Sequence, residues 1–337
     1  MPSVWTYLEV FWRIAQGKLV HLLAFFTQTM KPFIKTLKLG VLRFINQFGY
    51  GILKLPPKPK KTSKVTSVVL GGKAIKIHSG NPLCFQYKQN PQHNGSIGIM
   101  AALVKSRFPA AWAVDVGANV GDTLAIIKGQ ASMPVICVEG DAFCYELLQE
   151  NARLFDEVYP FKTFLADKPG ESNMEMQKDG WNLTLTQARP GSSGQRLQFD
   201  TLDRLVERMK QPFNVKLLKV DTEGHDLRII RGAAGILERD KPVITFELNR
   251  ENIQPLGDSV GDFYDYLVNL GYHHFILNDS GGRLIGSLDN HCKTLLLDLY
   301  QYSNLGQPIY YYDIWAFHQT DKGLFDSFLA AERAKRG

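Results

Sequence analysis

The chain has 337 residues, 45% apolar and 21% charged, enough to bury one large core or two modest ones, so neither a disordered chain nor a small disulfide scaffold fits. Four cysteines (Cys84, Cys137, Cys144 and Cys292) form no CxxC pair and no Cys/His set at zinc-ligand spacing, which points to a reducing, cytoplasmic setting. The formal charge of +6 is uneven: residues 1–64 hold eleven Lys or Arg against Glu9, a net of +10, leaving −4 for residues 65–337 and no basic surface of the nucleic-acid-binding kind.

Residues 1–54 read as basic amphipathic helices. Phe33, Ile34, Leu37, Val41, Phe44, Ile45 and Phe48 recur at helical spacing while Lys31, Lys35 and Lys38 cluster on another face, and Trp5, Trp12, Leu19, Leu22, Leu23 and Phe26 make an earlier stripe. The longest charge-free interval, residues 19–30, has twelve residues, whereas a membrane span needs about twenty mostly apolar ones. The start MPSVWTYLEVFW has no basic region ahead of an apolar stretch, so it does not read as a signal peptide. An anchor lying in the plane of an anionic membrane surface fits best, which makes the chain peripheral at the membrane; helices packing on protein and a transit peptide are the lesser readings. Residues 55–64, LPPKPKKTSK, read as an extended linker, residues 65–320 as the main domain and residues 321–337 as a C-terminal helix or tail.

After preparatory β and α segments, strands and helices alternate. Strands are expected at 111–117, 134–140, 158–167, 214–221 and 241–249, with helices near 121–129, 142–155, 201–209, 225–238 and 263–271. Residues 170–198 read as a β-hairpin insertion, and HHFILND and TLLLDLY as late antiparallel strands. The pattern predicts a doubly wound, mostly parallel α/β sheet.

In such a sheet the carboxyl ends of the strands share one edge, where ligands bind. Those ends carry Asp115, Glu139, Asp167, Asp221 and Glu247. The loop Gly117-Ala118-Asn119-Val120-Gly121 has the spacing of a close-approach turn opening a helix, but lacks the middle glycine of GxGxxG, and acidic neighbours would repel a pyrophosphate. S-adenosyl-L-methionine fits better: it carries no phosphate, has a positive sulfonium and ammonium, and presents ribose hydroxyls to an acid such as Glu139, eighteen residues beyond Gly121. Asp167 is expected to accept from the adenine amino group.

The blocks VDVGANVGDTLAII, VEGDAFCYELLQENARL, TLDRL, VKLLKVDTEGHDLRIIRGAAGIL and PVITFELN, in this order, resemble the FkbM family of S-adenosylmethionine-dependent methyltransferases, with LLKVDTEGHDLRIIRGA the most distinctive. The resemblance covers roughly residues 111–250 and implies a Rossmann-like class I methyltransferase fold and O-methylation of a sugar or polyketide-type hydroxyl. It also implies that Asp115, Gly117, Ala118, Asn119 and Gly121 line the methionine end of the cofactor, with Glu139 at the ribose and Asp167 near adenine. Gly140 departs from the family, which usually has proline there.

Methyl transfer depends mostly on positioning, worth on the order of 7–11 kcal/mol, and a base adds roughly 10²- to 10⁴-fold for a hydroxyl acceptor. Asp221 or His225 is the expected base, the other orienting the acceptor, with Lys219 steadying developing charge and Glu223 and Glu247 in reserve; Asp226 and Arg228 read as solvated helix residues. A magnesium site of Asp221, Glu247 and Asn249 is a minor reading. A cofactor-binding protein without turnover is the main alternative, while the acidic body and the loop TEGHD disfavour a nucleic-acid methyltransferase. The basic segment beside this domain suggests a membrane-assembled glycan or glycolipid as acceptor.

Overall fold

The computed structural model describes residues 64–90, 93–179, 182–188, 194–210, 213–304 and 309–335. The expected amphipathic segment at 1–54 lies outside them, as does all of the linker except Lys64.

The described chain opens with an antiparallel hairpin, β1 (Val65–Leu70) and β2 (Lys73–His78). Helix α1 (Pro82–Gln89) starts where the Asn81 side chain accepts from the Leu83 N–H and Pro82 takes the first turn. Helix α2 (Gly95–Arg107) follows, then β3 (Trp112–Val116), α3 (Asp122–Gln130), β4 (Val135–Glu139), α4 (Ala142–Ala152) and β5 (Val158–Lys162). An insertion supplies β6 (Phe164–Leu165), β7 (Gly170–Asp179), β8 (Asn182–Gln187) and β9 (Gln195–Asp200), a four-stranded sheet of its own in the order β6-β9-β7-β8. The alternation resumes with α5 (Leu202–Glu207), β10 (Val215–Val220), α6 (Asp226–Arg231), α7 (Ala234–Asp240), β11 (Val243–Leu248), α8 (Arg250–Ile253) and α9 (Val260–Asn269). It ends with β12 (Tyr272–Asp279), β13 (Leu284–Asp289), α10 (Lys293–Tyr302), β14 (Tyr312–His318) and α11 (Lys322–Ala334).

The main sheet has eight strands in the order β13-β12-β14-β11-β10-β3-β4-β5, with β11, β10, β3, β4 and β5 parallel and β14 antiparallel to both its neighbours. Successive strand residues face opposite sides, so each parallel strand feeds two cores. Val114, Ile136, Leu218 and Ile244 pack on one side with α5, α6, α7 and α9, while Ala113, Val135, Leu217 and Val243 pack on the other with α2, α3, α4 and α11. This is the doubly wound, mostly parallel α/β fold that the alternation of strands and helices predicts. The chain runs outward from β3 to β4 and β5, then returns to β10 on the other side of β3. That reversal opens a crevice at the carboxyl ends of β3 and β10.

Three local expectations change. The third parallel strand stops at Lys162 rather than 167; beyond Thr163 the chain joins the insertion sheet, where Phe164 and Leu165 pair with Phe199 and Asp200. Residues 225–238 form two short helices, broken at Gly232 and Ala233. TLLLDLY is helical, within α10: Leu296 and Tyr300 are buried one turn apart while Leu295 is exposed, a helical rather than an alternating pattern. The antiparallel neighbours of β12 are β13 and β14 instead.

Candidate active site

The rim of the crevice is a stitched set of backbone turns. Gly117 has φ +77°, and a Cβ there would lie 1.8 Å from the Asp221 carbonyl oxygen, so only glycine lets the ends of β3 and β10 meet. Asp221 N–H donates to Val116 O at 3.0 Å, while the Gly117 and Ala118 N–H groups both donate to Val138 O, at 2.9 and 3.0 Å. Asn119, at φ +47°, turns its N–H onto Glu139 Oε2 at 2.9 Å, and Asp141 N–H donates to Oε1 at 2.7 Å. Each Glu139 oxygen keeps acceptor capacity. Burial raises the Glu139 carboxyl to about 7 against the opposing pull of those two hydrogen bonds. Gly121 caps α3, and buried Asn151 ties the loop down by donating to Val120 O and Lys76 O and accepting from Lys76 N–H.

Asp115 lies beneath this loop with 0% exposure. Its Oδ1 is 3.3 Å from Lys219 Nζ, and Lys219 is also 3.3 Å from Asp221 Oδ2, so one ammonium bridges two strand ends. Residues 219 and 115 are register partners on neighbouring parallel strands, which places both side chains on one face. Burial works against the Lys219 charge, but Asp115 and Asp221 outweigh it and hold the ammonium above the ordinary lysine value. Burial likewise raises Asp115, only partly offset by Lys219. Neither Asp115 oxygen, nor buried Asn119 Oδ1, receives a well-formed hydrogen bond from the described residues.

Beyond Asp221 the crevice becomes a bank of carboxyls. Glu223, at φ +54°, accepts from Asn252 Nδ2 at 2.8 Å, and burial together with the Asp221 charge raises it to about 7. Glu247 is pushed well above its ordinary value by burial and by Asp221, Glu223, Asp313 and Asp226, in that order. Asp313, on β14, is the cross-strand partner of Glu247, and burial and Asp221 raise it to about 7. The sequence reading missed Asp313; a lone acid in the apolar run of Ile314, Trp315 and Ala316 was the available signal. On the opposite lip Tyr87 O–H donates to Asp122 Oδ2 at 2.6 Å, and His93 packs edge-on to Tyr87, 5.3 Å between ring centres.

Other expected site residues lie elsewhere. His225 is not a crevice base: its Nε2 lies 3.0 Å from Leu185 O of the insertion, its ring stacks near Phe199, and burial lowers its pKa. Its charged neighbours are Arg228, Asp258 and Asp167, none of them a crevice acid. Asp167, beyond the end of β5, is exposed, and its backbone lies against Gly232 at the α6–α7 junction. Asp226 is fully buried rather than solvated: Oδ1 accepts from Thr222 N–H and Oγ1, and Oδ2 from Glu247 N–H. Arg228 pairs with Asp258 at 2.7 Å.

Among the described residues no group of three or more His, Cys, Asp or Glu side chains is arranged to hold a metal ion. Of the magnesium set weighed from sequence, Asn249 has its oxygen engaged by the Glu251 N–H and its amide by Glu247 Oε1.

Residues 115–273 match the family described as Methyltransferase FkbM domain. Among solved structures the chain is similar to the methyltransferase FkbM of Methylobacillus flagellatus KT, at 14% identity over 62% of this chain and 43% of that one, TM-score 0.36. It is also similar to an O-methyltransferase of Bacillus cereus in complex with SAH, at 13% identity over 70% and 88% of the two chains, TM-score 0.38. A third is a precorrin-6y C5,15-methyltransferase of Geobacter metallireducens GS-15, at 12% identity over 65% and 87%, TM-score 0.32. The chain spans under half the length of the M. flagellatus protein, and no curated protein matches it. It is residues 115–273, a little under half of the chain, that carry the match to the Methyltransferase FkbM domain.

Proposed function

We propose that the protein transfers a methyl group from S-adenosylmethionine to a hydroxyl of a sugar, glycan or glycolipid. The observation that carries the cofactor reading is the pair of buried acceptors at one end of the rim, Asp115, whose Oδ1 faces Lys219, and Asn119 Oδ1, which has no hydrogen-bond partner among the described residues, with Glu139 held open beside them. Such acceptors fit a ligand bearing an ammonium, and Glu139 fits a diol. Asp115, Asn119 and the Gly117–Gly121 loop would hold the amino-acid end, and Glu139 the ribose. Bound there, S-adenosylmethionine supplies an electrophilic methyl group on a positive sulfonium.

The rest of the chemistry falls to the chain's own residues. Lys219 fixes the Asp221 carboxylate, which projects half-exposed into the crevice and can orient an acceptor hydroxyl. Glu223, raised to about 7, has the proton affinity suited to a base at neutral pH and replaces His225 in that role. For the acceptor, the support is the basic amphipathic sequence of residues 1–54, suited to an anionic membrane surface where lipid-linked glycans are assembled. No helix among the described residues is long and apolar enough to cross a membrane.

The test is incubation of the purified full chain with methyl-labelled S-adenosylmethionine and a membrane-glycan extract. Label should enter a glycan, with Glu139→Ala losing cofactor affinity and Glu223→Gln losing turnover by roughly 10²-fold or more at retained affinity. Cofactor binding without product in any acceptor fraction would leave a binding protein of this fold.

A further inference from the structure

The order of the strand ends gives the crevice a direction. From β10 through β3 and β4 to β5 they bring in turn Asp221, Asp115 with the glycine loop, Glu139 with Gly140, and Lys162. Three steps of about 4.8 Å make that row about 14 Å long, the reach of an extended nucleoside joined to an amino acid. With the amino-acid end over Asp115 and the ribose at Glu139, the base must lie toward the end of β5.

What waits there is an aromatic ring. A Cβ on Gly140 would lie 2.2 Å from two ring carbons of Phe164 and 2.8 Å from a third, so the ring rests directly on the Gly140 backbone. Lys162 is the register partner of Glu139, and Phe164 follows two residues later at the start of β6. The ring is half-buried against the small core of Met174, Leu185, Leu197 and Phe199. Phe199 lies 6.0 Å behind it, and His225 lies 6.1 Å behind Phe199 and 15° from parallel to it, fixed by Leu185 O. Three features the reaction does not otherwise use, Gly140, the insertion sheet and buried His225, thus converge on one ring.

Resting on the cofactor reading above, we infer that Phe164 is the wall against which the adenine of the cofactor stacks, and that glycine stands at position 140 to admit this ring beside Glu139. The insertion sheet is then part of the cofactor site, and its ring replaces Asp167 as the group that meets the base. Aromatic stacking needs only the π-face of the base.

The test is calorimetric titration of the full chain and its variants with S-adenosylhomocysteine. Phe164→Ala should weaken binding about ten- to a hundredfold. Phe164→Leu, which keeps apolar packing in the insertion core, should weaken it similarly, whereas Phe164→Trp should bind near the wild-type value. Gly140→Ala should also bind more weakly, and adding it to Phe164→Ala should cost nothing further, because both remove the same contact. Wild-type affinity in Phe164→Leu, or tighter binding in either truncation, would overturn the inference, the latter showing that the ring fills the space of the base. Glu139→Ala separates the two readings: weakened binding there with unchanged binding in Phe164→Leu sinks this inference alone, and unchanged binding in Glu139→Ala sinks the cofactor reading as well.

Discussion

Lys219 shows how a single residue organises the crevice. It stands among Asp115, Asp221, Glu223, Glu247 and Asp313, and its ammonium touches only the first two. The carboxyls it does not touch are raised by burial and by Asp221, that of Asp313 against a partial offset from Lys219. For Glu223 the consequence is kinetic. It must be ionised to accept a proton, so kcat/KM should rise about tenfold per pH unit below about 7 and level off above it, and Glu223→Gln should remove that limb. A limb that persists in Glu223→Gln would assign the base elsewhere. The sign for stability is opposite. A carboxyl near 7 in the fold and near its ordinary 4.5 when unfolded holds its proton only in the folded state between those values, so its contribution is complete below about 4.5 and is lost as pH rises through about 7. Activity and stability should therefore diverge across this window.

At the level of elements, the turn after β10 is held from below by Asp226. Its three acceptor bonds link Thr222, at the start of the turn, to the Glu247 backbone on β11 and so fix the relative height of two strand ends. Burial and Asp221 raise the Asp226 carboxyl to about 7, opposed by those same bonds. Asp226→Ala leaves buried donors without partners and should lower stability by about 3 kcal/mol, a fall of roughly 6–12 °C in Tm, measurable by calorimetry. A loss below about 1 kcal/mol would mean the turn is held by other contacts. The parallel strands and the crevice acids at their ends were legible because apolar runs ending in Asp or Glu recur with helical stretches between them. The role of Asp226 was not: on a helix an acid beside an arginine looks solvated, and only the arrival of β11 against α6 shows that it is buried. His225 misled for the same reason, since its distance from Asp221 along the chain is short while the insertion that captures its ring is distant in sequence. TLLLDLY misled through composition, because leucine and tyrosine serve a buried helix turn as well as a strand.

Along the whole chain the charge is divided unevenly. Residues 65–337 carry −4, with buried acids at the crevice, whereas residues 1–64 carry +10. An acidic body disfavours approach to an anionic surface, so any such approach depends on the basic segment. Each lysine near an anionic membrane contributes about 1 kcal/mol, so replacing Lys31, Lys35 and Lys38 together by alanine in the full chain should reduce partition onto phosphatidylserine-containing vesicles by about a hundredfold. Partition of the wild type should fall as salt rises and be weak on neutral vesicles, because screening acts within a Debye length of about 8–10 Å. Cofactor affinity in the triple variant should stay at the wild-type value, since the rim from Asp115 to Phe164 is assembled from residues beyond position 64. Vesicle binding unchanged by the three substitutions would remove the membrane from the reading and with it the argument for a lipid-linked acceptor, while leaving methyl transfer to a soluble glycan standing.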